Sequence, residues 1–194
     1  VAFLVAGDPL VATTHIDLFM RAKKEGIKCY VIHNASIISA VGVTGLQVYK
    51  FGKTTSIPLE NDNVEAPYDA LKDNLSLGLH TLFLLDLNNE EEKFMSINDA
   101  IRYLLKIEIK RNEKVFSEKT LCIGCARIGS EKQVIKAGTA KELLKFDFGK
   151  PVSERYRGWA GPELTKPSQP LLAAPGGALV RPERKGNSFR SADG

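Results

Sequence analysis

Cysteine is scarce in this chain of 194 residues, with Cys29, Cys122 and Cys125 the whole set. An odd, sparse set builds no disulfide framework and points to a reducing, intracellular setting. No apolar run approaches the ~20 residues needed to cross a bilayer, and there is no secretory leader pattern. Gly-x-Ser-x-Gly elbows, phosphate loops and dinucleotide fingerprints are also missing, which removes support for acyl-transfer hydrolysis and for those nucleotide sites. Charge of one sign is not in excess: 27 Lys and Arg against 23 Asp and Glu give a net charge of +4. Seven basic and four acidic residues fall in residues 151–194, so the rest is nearly neutral and makes no case for a nucleic-acid partner. Apolar and charged contents of 43% and 26% are those of a globular protein of one large or two small domains. There is no initiator Met, and the chain opens inside an apolar run. From this we expect that an upstream part of the natural domain is missing, or that the gene product is unusually short.

What is present begins with residues 1–15. Residues 1–6 form an unbroken apolar run that suits a strand buried on both faces, and Gly7-Asp8-Pro9 stops it. Thr13 and Thr14 offer N-caps for an amphipathic helix over residues 16–25, with Gly26 just past its end. A second strand is expected over residues 28–32, then a helix from Ile37 with Ser36 as its N-cap. Further expectations are a strand over 54–59, an acidic linker over 60–67, a helix over 68–75 and a buried strand over 81–87. Ser96 and Asp99 form a capping arrangement that opens a helix running to about residue 110. A strand over 120–126 and a short helix over 140–145 complete the alternation, which argues for an α/β protein. Six of the nine prolines and six of the sixteen glycines fall in residues 151–194, which read as a disordered tail.

Few residues advertise chemistry. Asp8 and Asp86 stand at strand ends, where a carboxylate either accepts hydrogen bonds from a ligand or caps the next turn. His15, His33 and His80 sit at element boundaries, and His33 directly follows a strand. Cys122-Ile123-Gly124-Cys125 has a two-residue spacer, but zinc wants four ligands and the one other thiol is Cys29. The pair also lies in a strand, where residues i and i+3 face opposite sides, so we read core cysteines and no metal.

One ordered set of segments goes beyond generic βα units. It comprises Gly7-Asp8-Pro9 with Ala12-Thr13-Thr14-His15, then Val31-Ile32-His33-Asn34-Ala35-Ser36-Ile37, then Gly45-Leu46-Gln47 with Tyr49-Lys50-Phe51-Gly52. His80-Thr81-Leu82, Leu84-Leu85-Asp86, Phe94-Met95-Ser96 and Ala126-Arg127 continue it in order. Over roughly residues 1–150 this closely resembles the diphthine synthases (diphthine methyl ester synthases) of eukaryotes, a branch of the tetrapyrrole methylase superfamily.

The resemblance implies a cytoplasmic, usually dimeric methyltransferase with a two-domain α/β fold. Its sheet would be mostly parallel in the N-terminal domain, of which residues 1–52 are the remainder, and mixed in a second domain over residues 53–150. Residues 151–194 would be an unrelated tail. It further implies S-adenosylmethionine as methyl donor, no metal, the modified histidine of elongation factor 2 as target, and no membrane or nucleic-acid partner. Carried over by motif, Asp8 and Val11 would contact the cofactor in the first turn, Ser36 and Ile37 in the second, and Leu85 and Ile128 from later strands. The family's Gly-rich first loop is absent, its segment before Phe94 is shortened here, and its Trp-containing stretch is replaced by residues 58–67. Ser153 stands where a cofactor-contacting His would be. A non-catalytic truncated homologue or interaction module, and a methyltransferase with a tetrapyrrole substrate, therefore stay open beside the main reading.

Overall fold

The computed structural model describes residues 1–5, 7–88, 91, 93–150 and 177–182. Its centre is a five-stranded mixed sheet of spatial order β1-β2-β7-β5-β6. The strands are β1 (Thr55–Ile57), β2 (Thr81–Leu85), β5 (Leu121–Ala126), β6 (Val134–Thr139) and β7 (Ala178–Arg181); β3 (Leu87–Asn88) and β4 (Lys93–Phe94) pair separately as a small hairpin. β1 runs parallel to β2, whereas β7 is antiparallel to both β2 and β5. The carboxyl ends of β1, β2 and β5 therefore share one edge with the start of β7.

Side-chain alternation divides the sheet cleanly. Phe83, Leu85, Leu179, Cys122 and Ala126 face helices α3 (Ala66–Ser76), α4 (Ile97–Arg111) and α5 (Ala140–Leu143), where they meet Tyr68, Leu71, Ile101, Leu104 and Leu143. Leu82, Val180, Ile123, Cys125 and Ala178 face the other way, against Ile37 and Val41. The result is three layers: helices, sheet, and the segment that contains α2 (Ile37–Ala40). Gly124 lets the layers approach, because a Cβ there would run into the Phe148 ring.

Local chemistry explains the helix ends. α1 (Ile16–Lys24) closes in a left-handed Gly26 (φ +69°), with the Ile27 amide donating to the Ala22 carbonyl and the Gly26 amide to that of Lys23. Ser96 Oγ accepts from the Asp99 amide at 3.0 Å, and the Asp99 carboxylate accepts from the Ser96 amide at 3.3 Å. Thr139 and Glu142 repeat that device at α5. Pro67 sits in the first turn of α3, where its missing N–H costs nothing.

The α/β class and the mixed sheet are as expected, and three local expectations are corrected. Among the described residues no strand forms within residues 1–52, where the one pairing is an isolated parallel bridge of Phe51 to His80. Residues 1–5 and 28–36 form neither helix nor strand, and among the described residues neither segment pairs in a ladder. Phe3, Leu4, Tyr30 and Ile32 are consequently exposed. The second correction concerns the tail: Ala178–Arg181 is the central strand and is buried throughout. Four residues between a glycine and a proline carry no visible period, and their burial arises from pairing on both edges. Thirdly, β6 escapes notice because Lys136 and Ala137 are exposed on an edge strand and Gly138 interrupts the pattern. The rest of the expected tail, residues 151–176 and 183–194 with Ser153 among them, lies outside the described residues.

Candidate functional site

Gly7 adopts φ +82°, a left-handed turn that favours glycine, and it delivers Asp8 inward. Only 6% of the Asp8 side chain is exposed. Its Oδ1 accepts from the Leu10 amide at 2.9 Å, and Oδ2 accepts from His33 Nδ1 at 2.8 Å and the Asn34 amide at 3.3 Å. The Leu10 amide, with the His33 ring and the Asn34 amide, holds the Asp8 carboxyl below the usual carboxylate range against the opposing effect of burial. Asp8 thus clasps the turn of residues 7–11 to the loop of residues 33–37. Val11 is half-buried in the same turn, and its amide donates to the Asp8 carbonyl at 3.5 Å.

The second loop leads straight into α2. Ser36 is buried, and its carbonyl accepts from the Ala40 amide at 2.8 Å. Ser39 Oγ accepts from the Ser36 amide at 3.5 Å. Ile37 is buried in the same apolar cluster as Ile128. The turn after β5 is pinned by Arg127, a left-handed residue (φ +54°) whose guanidinium donates to the carbonyls of Lys132, Phe148 and Lys150 at 2.7–2.8 Å.

Asp8, through His33 and Asn34, thus joins the turn that carries Val11 to the loop that carries Ser36 and Ile37, and Ile37 shares an apolar cluster with Ile128. Leu85 is not among them. It ends β2 at the same strand edge, but its side chain packs on the helix side, and its amide donates to the Gly177 carbonyl at 3.3 Å. Asp86 acts as a cap, accepting from the amides of Leu59 at 3.2 Å and Leu87 at 2.9 Å. Beside it an open cleft of about 920 Å³ is lined by Pro58, Leu59, Asp86, Leu87, Lys93 and Phe94, among others.

The residue that sequence reading did not tie to the site is His33. Its position after an extended segment marks it, but the partnership with Asp8, 25 residues away, is visible only in three dimensions. Cys122 and Cys125 are buried on opposite faces of the sheet, and burial pushes both thiols up to about 12. Among the described residues no group of three or more His, Cys, Asp or Glu is placed to hold a metal ion. Nor is any helix among them long and apolar enough to cross a membrane.

Residues 1–144 match the sequence profile of the Tetrapyrrole (Corrin/Porphyrin) Methylases. The chain belongs to the tetrapyrrole methylase family. Within that family it is similar to a diphthine synthase of Methanococcus vannielii, 51% identical over 154 residues that make up 78% of this chain and 60% of the relative. Among solved tetrapyrrole-methylase-type structures, an Entamoeba histolytica protein provisionally called a diphthine synthase is 36% identical with a TM-score of 0.74, over 93% of this chain and 64% of its own. A crystal structure of diphthine synthase gives 31% identity and a TM-score of 0.69, over 91% of this chain and 57% of its own. The chain spans about 60% of the length of the curated relatives it matches.

Proposed function

We propose that this chain is the greater part of a diphthine-synthase-type methyltransferase, using S-adenosylmethionine to methylate the modified histidine of elongation factor 2 in diphthamide biosynthesis. Similarity to named diphthine synthases supports the reaction class. The observation that carries the site is the Asp8 clasp, which sets the first turn against the second loop next to Ile37 and Ile128.

Those residues fit such a cofactor in part. The main-chain groups of the Asp8–Val11 turn and of Ser36–Ile37 would take its polar groups, and Ile37 and Ile128 its apolar surface. The Asp8 side chain itself acts as the brace, because its carboxylate is already held by three donors. Leu85 reaches the same edge through its backbone rather than its side chain. When bound, a sulfonium donor supplies its own activation, so the protein's main task is to hold the acceptor in line with the methyl group. In this reading residues 1–52 carry the two cofactor turns, residues 53–150 form the body, and the working enzyme is a homodimer in the cytoplasm.

Calorimetric titration with S-adenosylmethionine and with its demethylated product tests the site. We expect saturable binding that Ile128→Asp weakens at least tenfold, and transfer of labelled methyl to elongation factor 2 rather than to a precorrin. A folded chain that releases no heat would instead be the non-catalytic homologue, a reading favoured by the packing of the Leu85 side chain in the core on the helix side of the sheet.

A further inference from the structure

The Asp8–His33 contact has the form of an acid-imidazole pair in which the acid is hidden and the ring is presented. The Asp8 side chain is 6% exposed, whereas that of His33 is 68% exposed. The Asp8 carboxyl is held below its usual range, so at neutral pH it is a carboxylate and can only accept. Nδ1 of His33 must then carry the hydrogen in the 2.8 Å bond to Oδ2. In the neutral ring this fixes the tautomer and leaves the Nε2 lone pair on the ring's other edge, on a half-ring that is open to solvent. Asn34 N–H and Leu10 N–H complete the shell around the carboxylate, so the acid cannot swing away to serve a ligand directly. Among the described residues Asp8 is the titratable side chain hydrogen-bonded to His33. His33 also lies three residues before Ser36, at the mouth of the second turn.

We propose that His33 is the proton-accepting group of this site and that Asp8 is its positioning residue. The proposal rests on the methyl-transfer reading, taken with an acceptor that arrives as a protonated amine. In the step assigned to His33, an N–H bond of the ammonium breaks and its electron pair stays on nitrogen as the lone pair needed for attack. The proton goes to Nε2, giving an imidazolium whose charge the Asp8 carboxylate stabilises. Water then takes the proton and restores the neutral ring. A carboxylate acceptor would need no such step.

The test uses the full chain and two variants. His33→Asn keeps an amide N–H near the position of Nδ1, so it preserves the bond to Asp8 while removing the base. We expect it to match the wild type in circular dichroism and to bind the demethylated cofactor within about threefold, while methyl transfer at neutral pH falls by on the order of a hundredfold or more. That deficit should shrink as pH rises and the acceptor amine loses its proton unaided. A purely structural role would not produce this recovery. Nitrogen-15 correlation spectra of the imidazole supply a readout independent of turnover: the wild type should show the Nδ1–H tautomer, and Asp8→Asn a mixture. Transfer by His33→Asn at the wild-type rate, or a wild-type ring in the Nε2–H tautomer, overturns the role of His33 and leaves the methyltransferase reading standing. A folded wild type that binds no cofactor overturns both.

Discussion

Asp8 and Glu108 use the same device in different places: one carboxylate gathers several donors. Glu108 accepts from the Tyr68 hydroxyl at 2.7 Å and from the amides of Lys114, Val115 and Phe116 at 2.6–2.8 Å. Burial pushes its carboxyl up, but the Tyr68 hydroxyl and the three amides more than offset this and hold it below the usual range. Glu108→Gln places an amide N–H₂ among donors, and we expect a loss of about 2 kcal/mol in denaturant unfolding. Because the folded carboxyl is depressed, its stabilisation is complete above the ordinary carboxylate range and is lost as pH falls through the lowered value. The gap between wild type and variant should therefore narrow in acid. Neither device was legible in the sequence beyond the presence of an acid. Asp8 could be named from a Gly-Asp-Pro turn, but two of its three donors come from His33 and Asn34, and a bond across 25 residues leaves no local spacing to read.

Elements with a strong local signal were legible and those defined by their neighbours were not. α4 could be placed to within a residue because Ser96 and Asp99 announce its start and its apolar face repeats. β2 is an apolar run with no competing pattern. Residues 1–5 carry an equally strong run, yet pairing decides whether a strand forms, and no described partner lies there. β7 shows the converse: a weak local signal, overridden by ladders on both edges. The layers themselves depend on single positions within elements. Gly124→Ala in β5 would drive a methyl into the Phe148 ring, and we expect a cost of about 1–3 kcal/mol in thermal or denaturant unfolding. Phe148→Leu in the same chain should recover part of that loss, whereas a variant at a distant surface position should not.

At the scale of the whole molecule the two sides of the sheet differ in how well they are covered. The helix side is closed by α3, α4 and α5. On the other side residues 37–51 cover the sheet, but α1 has no buried residue, and Ile16, Leu18, Met20, Ile27, Tyr30 and Ile32 are all exposed. An apolar surface of that extent predicts strong binding of a hydrophobic dye to the native chain, reduced when Tyr30 and Ile32 are both changed to Ser. The far end of the chain matters as much. A chain ending at Lys150 lacks β7, which leaves β2 and β5 with facing, unsatisfied edges. We expect that shorter chain to lose the cooperative melt seen by circular dichroism and to elute as aggregate in size-exclusion chromatography.

Because Leu82 pairs with Val180, about a hundred residues of chain separate the partners at the middle of the sheet. On the ribosome, β1, β2, β5 and β6 all emerge before the strand that joins them, so the nascent chain must hold two half-sheets apart until β7 arrives. Folding of this sheet is timed by β7.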